Sequence, residues 1–127
     1  MPEKKQIQLE YKVNTMPKVL YYRLINPGGL AEWFAKDVRQ NGNIYTFYWD
    51  DYEQKAELIQ KKENLFVRYR WLDDEPKKTF FEFRIVSRDL TGEVALLVTD
   101  FVDDEEKDSS IELWNYSIAK LKHTLGL

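Results

Sequence analysis

What most constrains this chain is an alternating stretch from about Ala35 to Ile85, broken by turn signals whose registers must agree with one another. Asn41-Gly42 is a strong two-residue hairpin signal, because both residues tolerate positive φ. Taken as the turn, it sets Val38 opposite Tyr45. Asp50-Asp51 as the next turn sets Phe47 opposite Gln54 and Tyr45 opposite Ala56. Lys62-Glu63 as the third sets Leu58 opposite Val67 and Ala56 opposite Tyr69. A loop through Asp73-Asp74-Glu75-Pro76-Lys77, its register chosen for consistency with the others, then lets Tyr69 face Phe81 and Val67 face Phe83. These turns gather Val38, Tyr45, Phe47, Trp49, Ala56, Leu58, Leu65, Val67, Tyr69, Trp71, Phe81, Phe83 and Ile85 on one face. Thr46, Tyr48, Lys55, Glu57, Arg68, Arg70, Glu82 and Arg84 fall on the other, with Glu57, Arg68 and Glu82 aligned across three strands in alternating sign. A slip of one residue would exchange the two faces. The segment is therefore an antiparallel meander with one aromatic face.

The flanks supply helices. Ile7, Leu9, Tyr11 and Val13 alternate with polar residues as a half-buried strand. Thr15 is the expected N-cap of a helix with Pro17 in its first turn, which stops at Asn26-Pro27-Gly28-Gly29. A second short helix follows, carrying Leu30, Trp33 and Phe34. Gly92 closes a further turn before Val94-Ala95-Leu96-Leu97-Val98, a strand apolar on both parities whose register the pattern leaves open. The acidic run from Asp103 to Asp108 reads as a loop, with Ser109 and Ser110 as capping residues. The final helix carries Ile111, Trp114, Ile118, Leu121 and Leu125 at helical spacing, with Glu112, Lys120 and Lys122 pointing away.

At 127 residues the chain suits one domain, residues 1–127, built on a single core. Nineteen basic against 22 acidic residues argue against a dedicated nucleic-acid binder. The absence of cysteine excludes disulfides, zinc-thiolate sites and thiol catalysis. No apolar run approaches the ~20 residues of a membrane span, and Met1 to Gln6 lead straight into alternating residues without a signal peptide, so a cytoplasmic protein is expected.

The order of strand, two helices, long meander and C-terminal amphipathic helix resembles the helix-grip fold of the START-like superfamily. That group includes plant pollen allergens, polyketide cyclases and homologues of the C-terminal domain of the Hsp90 ATPase activator. The resemblance covers about Lys5 to Leu125. Leu30-Ala31-Glu32-Trp33-Phe34 and Leu113-Trp114-Asn115 are similar to aromatic anchor positions of the activator-homologue branch, with bacterial START-like proteins nearest. It implies an α+β fold in which a curled antiparallel sheet wraps the long C-terminal helix, with two short helices after the first strand. It further implies a cavity between sheet and helix that members use for lipids, hydrophobic metabolites or, in cyclases, chemistry on a bound substrate. It carries over no shared catalytic constellation and no cofactor. The Hsp90-binding motif of the activator's other domain has no counterpart here.

The expected ligand-lining residues are Trp33, Tyr45, Phe47, Trp49, Tyr69, Trp71, Phe81, Phe83, Trp114 and Ile118, with the Tyr hydroxyls and Trp N–H groups as orienting points. The bland alternative is that these rings simply fill the core. His123, the only histidine, has no orienting partner nearby in sequence and suits the macrodipole of the last turn. Asp50-Asp51-Glu53 and Asp103 to Glu106 lack the alternating ligands and central glycine of a calcium loop, so no metal site is expected. Gly28-Gly29 is a helix stop and no phosphate loop. With Glu57 and Glu82 facing outward, no catalytic acid pair remains. Asp100 is the one acid of unsettled facing; enclosed beside Tyr or Trp, its pKa should rise and make it the leading catalytic candidate. The first expectation is thus a non-catalytic module for a small hydrophobic or amphipathic ligand. The second is a protein-interaction module or homodimer using an exposed patch around Tyr48, Phe66, Leu125 and Leu127, and the third a cyclase- or hydrolase-type enzyme.

Overall fold

A computed structural model describes residues 4–74 and 78–127. Strand β1 (Lys5–Lys12) leads to helices α1 (Pro17–Ile25) and α2 (Pro27–Leu30). The meander follows as β2 (Asp37–Asn41), β3 (Ile44–Tyr48), β4 (Glu53–Lys62), β5 (Phe66–Trp71), β6 (Phe81–Arg88) and β7 (Glu93–Val102), before α3 (Lys107–Thr124). All seven strands form one antiparallel sheet in the order β1-β7-β6-β5-β4-β3-β2. The sheet curls so that its concave face holds α1, α2 and α3. Among the described residues, the fold is the α+β grip expected from the sequence.

The facing of the meander follows the alternation, although two registers are displaced. Tyr45 pairs with Ala56 and Phe47 with Gln54, as expected. Tyr69 pairs with Phe81 and Val67 with Phe83, also as expected, although Glu75, Pro76 and Lys77 of the connecting loop lie outside the described residues. The first turn is Gly42-Asn43 rather than Asn41-Gly42, with Gly42 at φ 62°, so Val38 meets Phe47 and not Tyr45. The β4–β5 connection is a three-residue loop, Glu63-Asn64-Leu65, with Asn64 at φ 61°. Leu58 therefore meets Tyr69, Ala56 meets Trp71, and Glu57 meets Arg70 in place of Arg68. A displacement of two preserves facing, because the side-chain period is two. A bulge between Leu58 and Gln60 absorbs the odd residue of the loop and bends the strand. Leu65, expected inward, sits in that loop and is 41% exposed.

The helix starts also differ in detail. Residue i−1 of a proline is driven to extended backbone. Hence Met16, at φ −68° and ψ 137°, caps α1 in place of Thr15 and makes no side-chain bond. Asn26 ends α1 and starts α2, its side chain accepting from the N–H groups of Gly28 (2.8 Å) and Gly29 (3.4 Å). Gly28-Gly29 thus lies within α2 rather than ending α1, while Trp33 and Phe34 follow α2 in a turn. A 3-10 turn, Asp104–Glu106, precedes α3, so Ser109 and Ser110 are inside the helix; Ser109 donates back to the Glu106 carbonyl at 3.0 Å.

Between β1 and β6, β7 turns Val94, Leu96, Val98, Asp100 and Val102 to the same face as Ile7, Phe83 and Ile85. Helix α3 closes this concave side with Trp114, Ile118 and Leu121 buried and Ile111 and Leu125 packed behind them. On the convex side Glu82 is 5% exposed although it faces outward. It accepts from Arg68 (2.9 Å) and Arg84 (3.2 Å), whose guanidinium groups lie 4.0 Å over Phe80 and 4.3 Å over Phe66. Arg84 thereby covers Phe66, and Arg39 stands 5.8 Å over the half-buried Tyr48. The exposed patch expected at Tyr48 and Phe66 is absent, since cation–π stacking shields both rings. Leu125 is half-buried, and Leu127 is 54% exposed.

Candidate functional site

The last four carbonyls of a helix have no partner inside it. At the end of α1 the Tyr22 carbonyl takes the N–H of the capping Asn26 at 3.0 Å, and the next three carbonyls find side-chain partners. The Trp33 indole donates to Arg23 at 2.8 Å. The Tyr69 hydroxyl donates to Leu24 at 2.6 Å and the Tyr45 hydroxyl to Ile25 at 2.8 Å. Burial pushes the Tyr69 phenol well above its ordinary pKa and raises that of Tyr45, so both remain donors. The Trp49 indole donates to the Phe34 carbonyl at 3.3 Å. The hydroxyls of Tyr45 and Tyr69 and the indoles of Trp33 and Trp49, which the sequence offers as handles for a ligand, are therefore engaged with backbone.

The rings themselves meet one another. Phe34, absent from the sequence-based set, stands at their centre: 5.1 Å from Phe47, 5.9 Å from Phe81, 6.0 Å from Phe83 and 5.9 Å from Trp114. Trp71 packs 4.7 Å from Phe81, Tyr69 5.1 Å from Phe81, and Trp33 5.5 Å from Phe83. Ile118 is buried beside them on α3. Trp49 and Trp71 are half-buried at the rim.

Where this interior reaches the surface, a groove of about 510 Å³ opens between the β3–β4 turn and α3. Trp33, Phe34 and Ala35 form its floor, Trp49, Asp50, Asp51 and Tyr52 one wall, and Leu113, Tyr116, Ser117 and Lys120 the other. Trp49 stacks on Tyr52 at 5.0 Å and 24°, and the turn closes through Trp49 N–H to the Tyr52 carbonyl at 2.8 Å. Tyr52, Leu113 and Tyr116 are 60%, 66% and 69% exposed. The α3 wall is a second helical stripe at spacings of three and four, beside the buried one. Of the residues expected from the sequence to line a ligand, Trp33 and Trp49 border this groove; Phe34, Tyr52, Leu113 and Tyr116 also line it and lie outside that set, with the spacing of Leu113, Tyr116 and Ser117 as the signal for the α3 wall. A smaller hollow of about 360 Å³ lies beneath α1 beside Tyr21, Tyr22, Tyr45 and Lys61.

Asp100 faces the interior, as an acid between Val98 and Val102 must. One carboxylate oxygen accepts from the Trp114 indole at 3.0 Å and the other from the Phe101 N–H at 2.8 Å. Burial raises its pKa, against the pull of those two donors and of Lys4, with the Asp74 carboxylate adding to the rise. Asp74 is itself held by Lys4 at 3.7 Å and the Thr79 hydroxyl at 2.6 Å. His123 is exposed in the last turn of α3. Among the described residues no cluster of three or more His, Asp or Glu is placed to hold a metal, and no helix is long and apolar enough to cross a membrane.

The architecture defines the class: a helix-grip domain whose sheet closes on a C-terminal helix. The whole chain, residues 1–127, matches the START-like superfamily domain, and it belongs to that family. It is 33% identical to BfR322 from Bacteroides fragilis, whose solution structure superposes with a TM-score of 0.70 over 99% of this chain and 94% of that one. At 16% identity it shares its fold with the Aha1 dimer from Colwellia psychrerythraea, with a TM-score of 0.78 and 93% of each chain covered. ChR145 from Cytophaga hutchinsonii is similar at 17% identity and a TM-score of 0.76, over 99% of this chain and 97% of that one. Among curated proteins none matches the chain.

Proposed function

We propose that this chain is a non-catalytic binding module that holds a small, mostly apolar molecule in the groove between the β3–β4 turn and α3. Membership of the START-like superfamily supports a binding role. The observation that carries the location is the exposure of Tyr52, Leu113 and Tyr116 around a hollow of about 510 Å³, a size in the range of small-molecule sites. Interior rings and donors, by contrast, are matched with one another and with the end of α1. Asp100 lacks a partner nucleophile or base within its hydrogen-bond set, which argues for structure over catalysis. Native mass spectrometry and thermal shift against a panel of flat aromatic and short-chain amphipathic compounds test the reading. Compounds that bind should lose roughly tenfold or more in affinity on Tyr52→Ala or Tyr116→Ala, as loss of an aromatic anchor implies. Equal binding to these variants would show that the groove does not hold the ligand.

A second reading is a homodimer through the same α3 face, favoured by the exposure of Leu113 and Tyr116 and by the dimeric state of the Colwellia relative. Light scattering separates the two. A mass of 15.3 kDa removes the dimer, and twice that supports a second copy on the α3 face.

A further inference from the structure

The charges around the groove are not distributed evenly between its walls. Lys36 and Asp50 neutralise each other through an ion pair of 2.7 Å on the turn side. That leaves Asp51 on the turn and Lys120 on α3, both exposed and, among the described residues, neither in an ion pair. Lys120 lies one helical turn beyond Tyr116, so its ammonium shares the face that Tyr116 presents to the groove. An acidic handle and a basic handle thus stand on opposite walls of an apolar floor. Two charges lining one site without pairing across it leave each available to a bound molecule.

The geometry points to an amphoteric ligand: a flat, apolar body with an amino group at one end, taken by Asp51, and an acidic group at the other, taken by Lys120. This inference rests on the groove being the binding site and adds the chemical class of its ligand. A purely hydrophobic guest would leave both charges unused. A simple anion or cation would satisfy one and meet the other as a repulsive neighbour.

Three probes with the same ring decide the matter, measured by calorimetry or ligand-observed NMR on the full chain. They are 3-[4-(aminomethyl)phenyl]propanoic acid, 3-(4-ethylphenyl)propanoic acid and 4-propylbenzylamine. The first should bind more tightly than either of the others, by about threefold for each added charge, as exposed ion pairs allow, and the margin should shrink as salt is raised. Lys120→Glu should abolish the benefit of the acidic end and Asp51→Lys that of the amino end, while neither exposed substitution should alter folding. Equal binding of all three probes, or charge preferences unmoved by both variants, would overturn the amphoteric class while leaving an apolar groove intact. No binding by any probe, with Tyr52→Ala likewise without effect on the compounds that do bind, would instead remove the groove itself.

Discussion

Tyr69 shows how one side chain can serve both the sheet and a helix. Its ring packs in the aromatic layer while its hydroxyl holds the Leu24 carbonyl at 2.6 Å. Tyr69→Phe keeps the ring and leaves a buried carbonyl without its donor, so urea unfolding should show a loss of about 1–3 kcal/mol. Asp100 gives a pH signature. Its pKa is raised above the ordinary value of 3.8 by burial, so the folded chain takes up a proton at a pH where the unfolded chain does not. The stability this confers is fully present below the unfolded value and disappears as pH rises through the folded one. Asp100→Asn cannot titrate, so the melting-temperature difference between wild type and variant should shift in favour of the wild type as pH falls from neutral towards about 4. A constant difference would contradict the placement. The facing of Asp100 was not legible in the sequence, because the strand around it is apolar on both parities. Its pairing with β1 and β6, which local alternation does not encode, decides the matter.

At the scale of elements, the α1–α2 corner depends on a glycine for a reason distinct from chain reversal. A Cβ at Gly29 would stand 2.6 Å from the Tyr22 carbonyl oxygen and 2.8 Å from the Arg23 Cα, both backbone atoms that cannot yield. At Gly28 the nearest atom is the Asn26 side-chain oxygen at 3.2 Å. Gly29→Ala should cost roughly 1–3 kcal/mol in thermal or urea unfolding, and Gly28→Ala distinctly less. The strands themselves were legible because alternation survives an error of two residues. Turn length was not. A two-residue and a three-residue loop around Glu63 differ by whether Asn64 accepts φ 61° and whether Ile59 can bulge, and neither leaves a mark in the pattern. The convex face was also misjudged at Phe66, since polarity alternation does not reveal that an Arg opposite in the next strand will lie over a ring.

Across the whole molecule, the grip closes on its own aromatic residues. Tyr45, Tyr69 and Trp33 tie the meander to α1, and Phe34 fills the space between sheet and α3. Phe34→Ala should destabilise the fold by about 2–3 kcal/mol, less than a fully buried ring because Phe34 is half-buried at the groove floor, measured by urea titration. The concave aromatic face was readable from parity alone, but its contents were not, because a list of inward rings is the same whether they line a void or meet each other. Nor does the buried stripe of α3 announce the second one beside it. Mapping amide shifts in a nitrogen-15 NMR titration with a flat aromatic ligand from the panel tests the groove most directly. Changes should concentrate at Trp49, Asp51, Tyr52, Leu113, Tyr116 and Ser117, with Ile85, Leu96 and the strand centres unmoved. Changes centred on the smaller hollow beneath α1, at Tyr21, Tyr22 and Lys61, would contradict the groove as the site of binding.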